Sequence, residues 1–406
     1  MFKTFGLADP LVRGILATGF TAPTEIQSQA IPAAIAGKDI IGCAQTGTGK
    51  TAAFVLPILN RLSHEQAGKR KVVRSLILTP TRELAVQIEK AIRDYGRFLH
   101  LRTLAVYGGV NINGQFSALR QGVDIVVATP GRLLDHMNRR TIELKHIEVL
   151  VLDEADRMFD MGFIKDVRRI ISAVPTNRQT MLFSATVTPE ISNLASGVQR
   201  SPIMIQIGRP RNPIETIKQH IYMVERDRKI GLLLHLLRDG QLSSVLVFSR
   251  TKHGADKINR HLEHANIESV AIHSGRTQSQ RQRALDGFKN GDYRVMVATD
   301  IAARGIDVTG ISHVINFDVP GMPEDYIHRI GRTGRAEATG DAITFVSSDE
   351  HKQLRLIERF IGRDITPIEC PGFTYVHIKI ETPKVQPGLH RGRFSTMRHH
   401  KPRRRR

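Results

Sequence analysis

Residues 44–51 have types and spacing suited to phosphate chemistry: Ala44, Gln45, Thr46, Gly47, Thr48, Gly49, Lys50 and Thr51. An apolar run over 39–43 precedes them, and a helical pattern opens at Ala52. A strand that turns through glycines into a helix beginning Gly-Lys-Thr aims backbone N–H groups at phosphate oxygens. Lys50 then reaches the outer phosphates, and the Thr51 hydroxyl takes a place on Mg2+. The strict pattern asks for glycine where Ala44 stands; Gly47 and Gly49 keep the freedom that close approach needs. Such a loop also needs a carboxylate at a strand end. The apolar run 149–152, ending in Asp153 and Glu154, supplies one. Asp153 is read as the Mg2+ ligand, usually through water, and Glu154 as the group that orients or activates the attacking water. By itself an acidic strand end is equally a solvated surface. Paired with the phosphate loop in one α/β domain, it reads as half of a nucleotide-hydrolysing site.

The elements that must hold these groups are short. After the loop, apolar runs at 75–79, 104–107, 124–128, 148–152 and 179–183 alternate with helical patterns. Ahead of it, 7–20 reads as an amphipathic helix. Residues 207–213 are rich in Gly, Pro and charge and break the alternation, which identifies an interdomain linker. The series resumes at 244–248, 269–272, 294–298, 313–317 and 342–346. Strands alternating with helices predict parallel sheets covered on both faces, one per domain.

At 406 residues the chain is long enough for two or three domains, and 41% hydrophobic residues build real cores. The net charge of +20 calls for a polyanion, most simply nucleic acid. From Lys384 onward there are nine Lys or Arg and no acids; taking those nine from +20 leaves +11 elsewhere. The two cysteines, Cys43 and Cys370, form neither a disulfide framework nor a zinc site and fit a reducing cytoplasm. No signal-peptide core opens the sequence and no run is long enough for a membrane span, so a soluble cytoplasmic protein is expected.

The residues Asp153, Glu154, Ala155 and Asp156 spell the signature of the DEAD-box RNA helicases, and the chain resembles that family from about residue 2 to 370. Residues 19–27 resemble its adenine-reading motif, ending in Gln27, whose amide can both donate to and accept from an adenine edge. Phe2 stands where the family keeps an isolated aromatic for base stacking. Pro80, Thr81 and Arg82, then Gly108 and Gly109, then Thr129, Pro130, Gly131 and Arg132, resemble its RNA-backbone motifs. Ser184, Ala185 and Thr186 resemble the motif that couples hydrolysis to unwinding. In the second half, Arg250, Gln278, Arg281, Thr299 and Asp300 lie in motifs similar to further RNA-contacting ones. The stretch 326–335 resembles the motif that brings His328, Arg332 and Arg335 to the nucleotide. Glu25, where the family often has proline, and His273-Ser274-Gly275 depart from the pattern. A compact length with a short basic tail resembles the bacterial helicase E branch.

The resemblance implies two tandem RecA-like α/β domains, 1–206 and 215–370, with a linker at 207–214 and a basic tail without fixed structure at 371–406. It implies ATP and Mg2+ as cofactors and single-stranded or short duplex RNA as partner. Ribosomal or RNA-decay proteins are compatible as further partners. Arg332 and Arg335, carried on one domain, would reach a phosphate held on the other, so that hydrolysis requires closure. Asp307 would accept from a ribose hydroxyl, and His328 would bridge to the acidic motif rather than bind metal. The RNA motifs offer hydroxyls, N–H groups and guanidinium, which position a backbone and read no bases. An ATP-gated RNA clamp or remodelling chaperone would use the same residues, and a DNA translocase differs only in 2′-OH contacts.

Overall fold

The structure is a computed structural model that describes residues 2–44, 47–64, 72–207, 217–238, 242–303, 308, 310–334 and 340–375. Gln45, Thr46, Asp307, Arg335, most of the expected linker and the tail beyond 375 lie outside the described residues.

The first sheet comprises β1 (Ile40–Cys43), β2 (Ser75–Leu78), β3 (Thr103–Val106), β4 (Ile125–Ala128), β5 (Val149–Leu152), β6 (Gln179–Ser184) and β7 (Ile203–Gln206). Its order is β3-β4-β2-β5-β6-β1-β7, and every pairing is parallel. The second sheet holds β8 (Ile217–Met223), β9 (Val245–Phe248), β10 (Ser269–Ile272), β11 (Val295–Ala298), β12 (His313–Asn316) and β13 (Gly340–Val346), again all parallel, in the order β10-β11-β9-β12-β13-β8. The α/β reading with two tandem parallel sheets is therefore what the chain forms.

Alternate residues of each strand enter different cores, as the two-residue period of a strand requires. Ile77, Val127, Val151, Met181 and Phe183 face one layer with α1 (Asp9–Leu16), α2 (Glu25–Ile35), α3 (Lys50–His64) and α4 (Arg82–Tyr95). Leu76, Leu78, Val126, Leu150, Leu152 and Leu182 face the other, under helices that include α5 (Ile112–Gln121) and α6 (Pro130–Asn138). Burial on both faces explains the unbroken β-branched runs. The edge strands β7 and β8 are missing from the sequence-based series. β7 leaves Ile203 and Met204 exposed, and β8 mixes Lys218, Gln219 and His220 with its apolar residues, so neither reads as a doubly covered strand.

Close packing at the loop end of β1 is fixed by Phe183, fully buried with its ring 5.2 Å from that of Phe54 on α3. A Cβ on Gly42 would stand 2.5 Å from the Phe183 ring, so the strand must carry glycine there to admit it. The helix that follows the phosphate loop is thus set against β6 by an aromatic pair. No helix among the described residues is long and apolar enough to cross a membrane. Truncating Phe183 to Ala leaves a cavity under α3 and should cost the first domain about 3–5 kcal/mol, measured by denaturant unfolding.

Candidate active site between the two domains

β1 ends at Cys43, and Ala44 N–H donates to the Ser184 carbonyl at 3.1 Å, which locks the loop entry to β6. Gly47 and Gly49 adopt φ of +89° and +94°, the left-handed region where a side chain would be strained. α3 then starts at Lys50, whose ammonium donates back to the Ala44 carbonyl at 2.5 Å. Thr51 occupies the second position of the helix. Gln27, fully buried on α2, accepts from Thr24 N–H at 3.0 Å and donates to the Gly49 carbonyl at 3.1 Å. In this arrangement its amide braces the phosphate loop rather than lying open to a base. Phe2 is only 3% exposed, packed against Phe5 and Phe20, so its ring belongs to the core here.

Asp153 and Glu154 end β5 side by side, both buried. Burial pushes the Asp153 carboxyl up to about 7, against the pull of Lys50 and with the help of Glu154. For Glu154, burial acts upward but is outweighed by Arg157, Arg332 and Lys50, which hold the carboxyl below its ordinary value. Arg157 Nη1 sits 2.7 Å from Glu154 Oε2, one helical turn on. Glu154 itself has φ +50°, a rare conformation for a residue with a side chain, and it turns the chain from β5 into the next helix. Asp156 faces the other way: its carboxylate accepts from Ala185 N–H at 2.9 Å and Thr186 N–H at 3.1 Å, and its own N–H donates to Ser184 Oγ at 3.3 Å. The three residues expected to couple hydrolysis to motion are therefore tied directly to the acidic motif.

The residues also fit a bound Mg2+. A buried carboxyl that holds its proton to about pH 7, beside a lysine and at a helix start, invites a cation to replace the proton. No cluster of three or more His, Cys, Asp or Glu able to hold a metal occurs among the described residues. One carboxylate plus phosphate oxygens and water is the ligand set Mg2+ favours.

The second domain presents the helix Pro323–Ile330 and the turn after it to this acidic end. His328 and Arg332 line one cleft with Arg157. Arg332 Nε donates to the His328 carbonyl at 3.2 Å, and its charge reaches Glu154 across the domain boundary. His328 is kept below its ordinary value, first by burial and then by Arg157 and Arg332, against the opposing pull of Asp160 and Asp156. Arg329, which the spacing did not single out, is fully buried and grips Asp300 through Nε and Nη2 at 2.6 and 2.7 Å. Asp300 thus fixes the arginine-bearing helix.

The expected RNA motifs converge at the carboxyl ends of the strands. The Arg82 guanidinium lies over Gly109, where a Cβ would collide with Nη1, and Gly109 has φ +82°. Thr81 caps α4, accepting from Leu84 N–H at 3.3 Å, with Pro80 buried before it. Thr129, Pro130 and Gly131 open α6, whose Arg132 donates to the Val110 carbonyl at 3.2–3.3 Å and to Gln115 Oε1 at 3.1 Å. Gln115, itself buried, also donates to the Tyr107 carbonyl at 3.1 Å and meets buried His136 at 2.9 Å. The Gly108–Gly109 loop and Arg132 are therefore held by one amide.

Gln278 and Arg281 sit differently from the expected RNA contacts. Both reach across to Glu83 of the first domain, at 3.1 and 2.9 Å, and Arg281 is only 7% exposed. Glu83 follows Thr81 and Arg82 in sequence and had no assigned role. Its type gave no signal, because the partner lies 195 residues away.

A parallel sheet bearing a phosphate loop, joined to a second that supplies arginine across the cleft, defines a two-domain nucleotide-driven helicase core. A sequence profile of the DEAD/DEAH box helicase family matches residues 24–194, and one of the helicase conserved C-terminal domain matches 228–337. The ATP-dependent RNA helicase CshA of Listeria monocytogenes is 42% identical over 96% of this chain and 74% of its own. CshA of Bacillus subtilis is 41% identical over 91% and 74%. The structure of S. cerevisiae Dbp5 bound to RNA and ADP BeF3 matches with a TM-score of 0.77 at 31% identity, over 90% of this chain and 94% of that one. The chain belongs to the DEAD-box family of ATP-dependent RNA helicases.

Replacing Glu83 by Ala leaves the buried Arg281 unpaired, and the closed population should fall at least about tenfold. Energy transfer between dyes on the two domains reads this directly; unchanged transfer would show the latch to be idle. The His328 imidazole stabilises the domain contact fully above its ordinary value of 6.5. Because its value in the folded protein is lowered, that contribution is lost as pH falls from there through the lowered value. The same energy-transfer signal should therefore drop on acidification, and less so in His328→Gln.

Proposed function

We propose that this chain hydrolyses Mg2+-ATP in the cleft between its domains and uses closure to strain and locally unwind short RNA duplexes. The observation that carries this reading is that Arg332, on the second domain, lines one cleft with Arg157, which is bonded to Glu154 on the first at 2.7 Å. Lys50 and the loop N–H groups bind phosphate, Glu154 takes or orients the proton of the attacking water, and Arg332 stabilises charge developing on the phosphate oxygens. Arg335, adjacent in the same motif, would serve with it. Mg2+, held by Asp153 and Thr51, would neutralise phosphate charge while bound. Hydrolysis would then be efficient only in the closed arrangement.

Arg82, Gly108, Gly109, Thr129, Arg132, Arg250 and Thr299 offer guanidinium, hydroxyl and backbone groups and so support a grip on phosphate and sugar without base readout. The boundaries proposed for the two domains are 1–206 and 215–370. A cytoplasmic setting fits the two cysteines, Cys43 and Cys370, which make no disulfide framework. The basic stretch from Lys384 would add salt-sensitive RNA affinity, one counterion released per phosphate neutralised.

Glu154→Gln tests the core of the proposal. ATP-dependent RNA binding should persist while turnover falls about 100-fold or more. A single round of strand separation should occur without recycling. Turnover at the ordinary rate would remove Glu154 from the mechanism, and ATP-locked RNA binding without any strand separation would make the chain a clamp. Lys50→Ala should instead weaken nucleotide binding itself.

A further inference from the structure

Among the groups left over from the site, one buried charge cluster in the second domain is built around Glu350, which lies outside the stretch matched by the C-terminal helicase profile. Its two carboxylate oxygens face two different cations. Oε2 accepts from Lys229 Nζ at 2.5 Å, and Oε1 accepts from Arg250 Nη2 at 2.7 Å. The backbone closes the remaining sides: Val319 N–H donates to Oε1 at 3.1 Å and Ser347 N–H to Oε2 at 3.2 Å. Lys229 spends its other protons on the carbonyls of Phe317 and Phe345, at 2.8 and 3.2 Å. The cluster therefore knits together the segments that leave β9, β12 and β13.

The three side chains differ sharply in exposure. Those of Lys229 and Glu350 are 1% and 4% exposed, whereas that of Arg250 is 43% exposed. Two cations flank one carboxylate, so the trio carries net positive charge, and only Arg250 brings that charge to the surface. Lys229 has no donor left over for a ligand. Arg250 is pinned at both ends, since its backbone N–H also donates to Asp318 Oδ2 at 2.8 Å and its Nη2 to the Val319 carbonyl at 3.2 Å. A guanidinium with one edge committed inward and the other outward is oriented for a phosphate oxygen.

We propose that the buried Glu350–Lys229 pair is a positioning device that holds Arg250 in the orientation that contacts the RNA backbone. Glu350 touches no substrate and acts through Arg250; Lys229 compensates its charge so that it can be buried there. The inference rests on the reading of Arg250 as an RNA contact, and the experiment separates the two.

Half-saturating RNA in the stimulated ATPase reaction would be measured, with a single-stranded oligonucleotide, for Arg250→Ala, Glu350→Asp and the double variant. Glu350→Asp keeps a negative charge beside buried Lys229 but draws the carboxylate back by one methylene, so that Arg250 loses its fixed partner. Arg250→Ala should raise half-saturating RNA about tenfold, or about 1.4 kcal/mol. Glu350→Asp should raise it about threefold to tenfold, with the rate at saturating RNA little changed. The double variant should be no worse than Arg250→Ala alone, the mark of residues acting through one contact. If Arg250→Ala has no effect, the RNA reading of Arg250 fails and the proposal falls with it. If Arg250→Ala weakens RNA but Glu350→Asp does not, or acts equally in the Arg250→Ala background, positioning is wrong and the pair only stabilises the domain. Should Glu350→Asp not fold, Glu350→Gln is read by the same cycle.

Discussion

Two carboxylates buried side by side at the end of β5 set the terms for everything around them. Neither can be charged there without nearby cations, because desolvation penalises the ionised form more than any single neighbour repays. Lys50 comes from the phosphate loop, Arg157 from the next helical turn and Arg332 from the second domain. Burial pushes Asp153 up, whereas Arg157, Arg332 and Lys50 together hold Glu154 down. Glu154 has the guanidinium at 2.7 Å, while among the described residues Asp153 accepts the neighbouring backbone N–H at 3.0 Å. One acid is thus ready to take up a cation, and the other already carries the charge a base requires.

The same demand for compensation explains how the arginines are carried. Arg329 is buried against Asp300, Arg132 hangs from an amide that also holds the neighbouring loop, and Arg250 is anchored by a carboxylate shared with a lysine. A long side chain loses several rotamers on ordering, and a fixed partner on its inner edge means that loss is met at folding instead of at binding. Arginine suits this arrangement because its planar fork can engage one partner inside and another outside.

Much of this was legible in the amino-acid sequence. The phosphate loop, the acidic strand end and the central strands all appear as local patterns, and local patterns survive folding. β7 and β8 did not, since an edge strand covered on one side mixes polar and apolar residues and loses the continuous run. Partners across the domain boundary were equally hidden. Gln278 and Arg281 lie in a motif that resembles an RNA-contacting one, yet they are buried on Glu83, a pairing that no local spacing encodes. Gln27 shows the complementary case: its identity was clear, but its brace against the Gly49 carbonyl depends on how α2 packs beneath the loop.

The Glu83 contact also bears on why closure and RNA should be linked. Burial draws the Arg281 guanidinium below its ordinary value, Glu83 opposes this, and Arg82 adds to it. Closure therefore brings the Arg281 guanidinium within electrostatic reach of Arg82, with Glu83 bonded to Arg281. In an open arrangement water would screen the two charges; in the closed one they must be balanced locally. An RNA backbone passing Arg82 would supply anions at the place where closure brings the two guanidinium groups together. On this reading RNA favours the closed state by relieving a repulsion as well as by adding contacts. Linkage then requires that closure, and with it Arg332 at the acidic motif, favour RNA to the same extent.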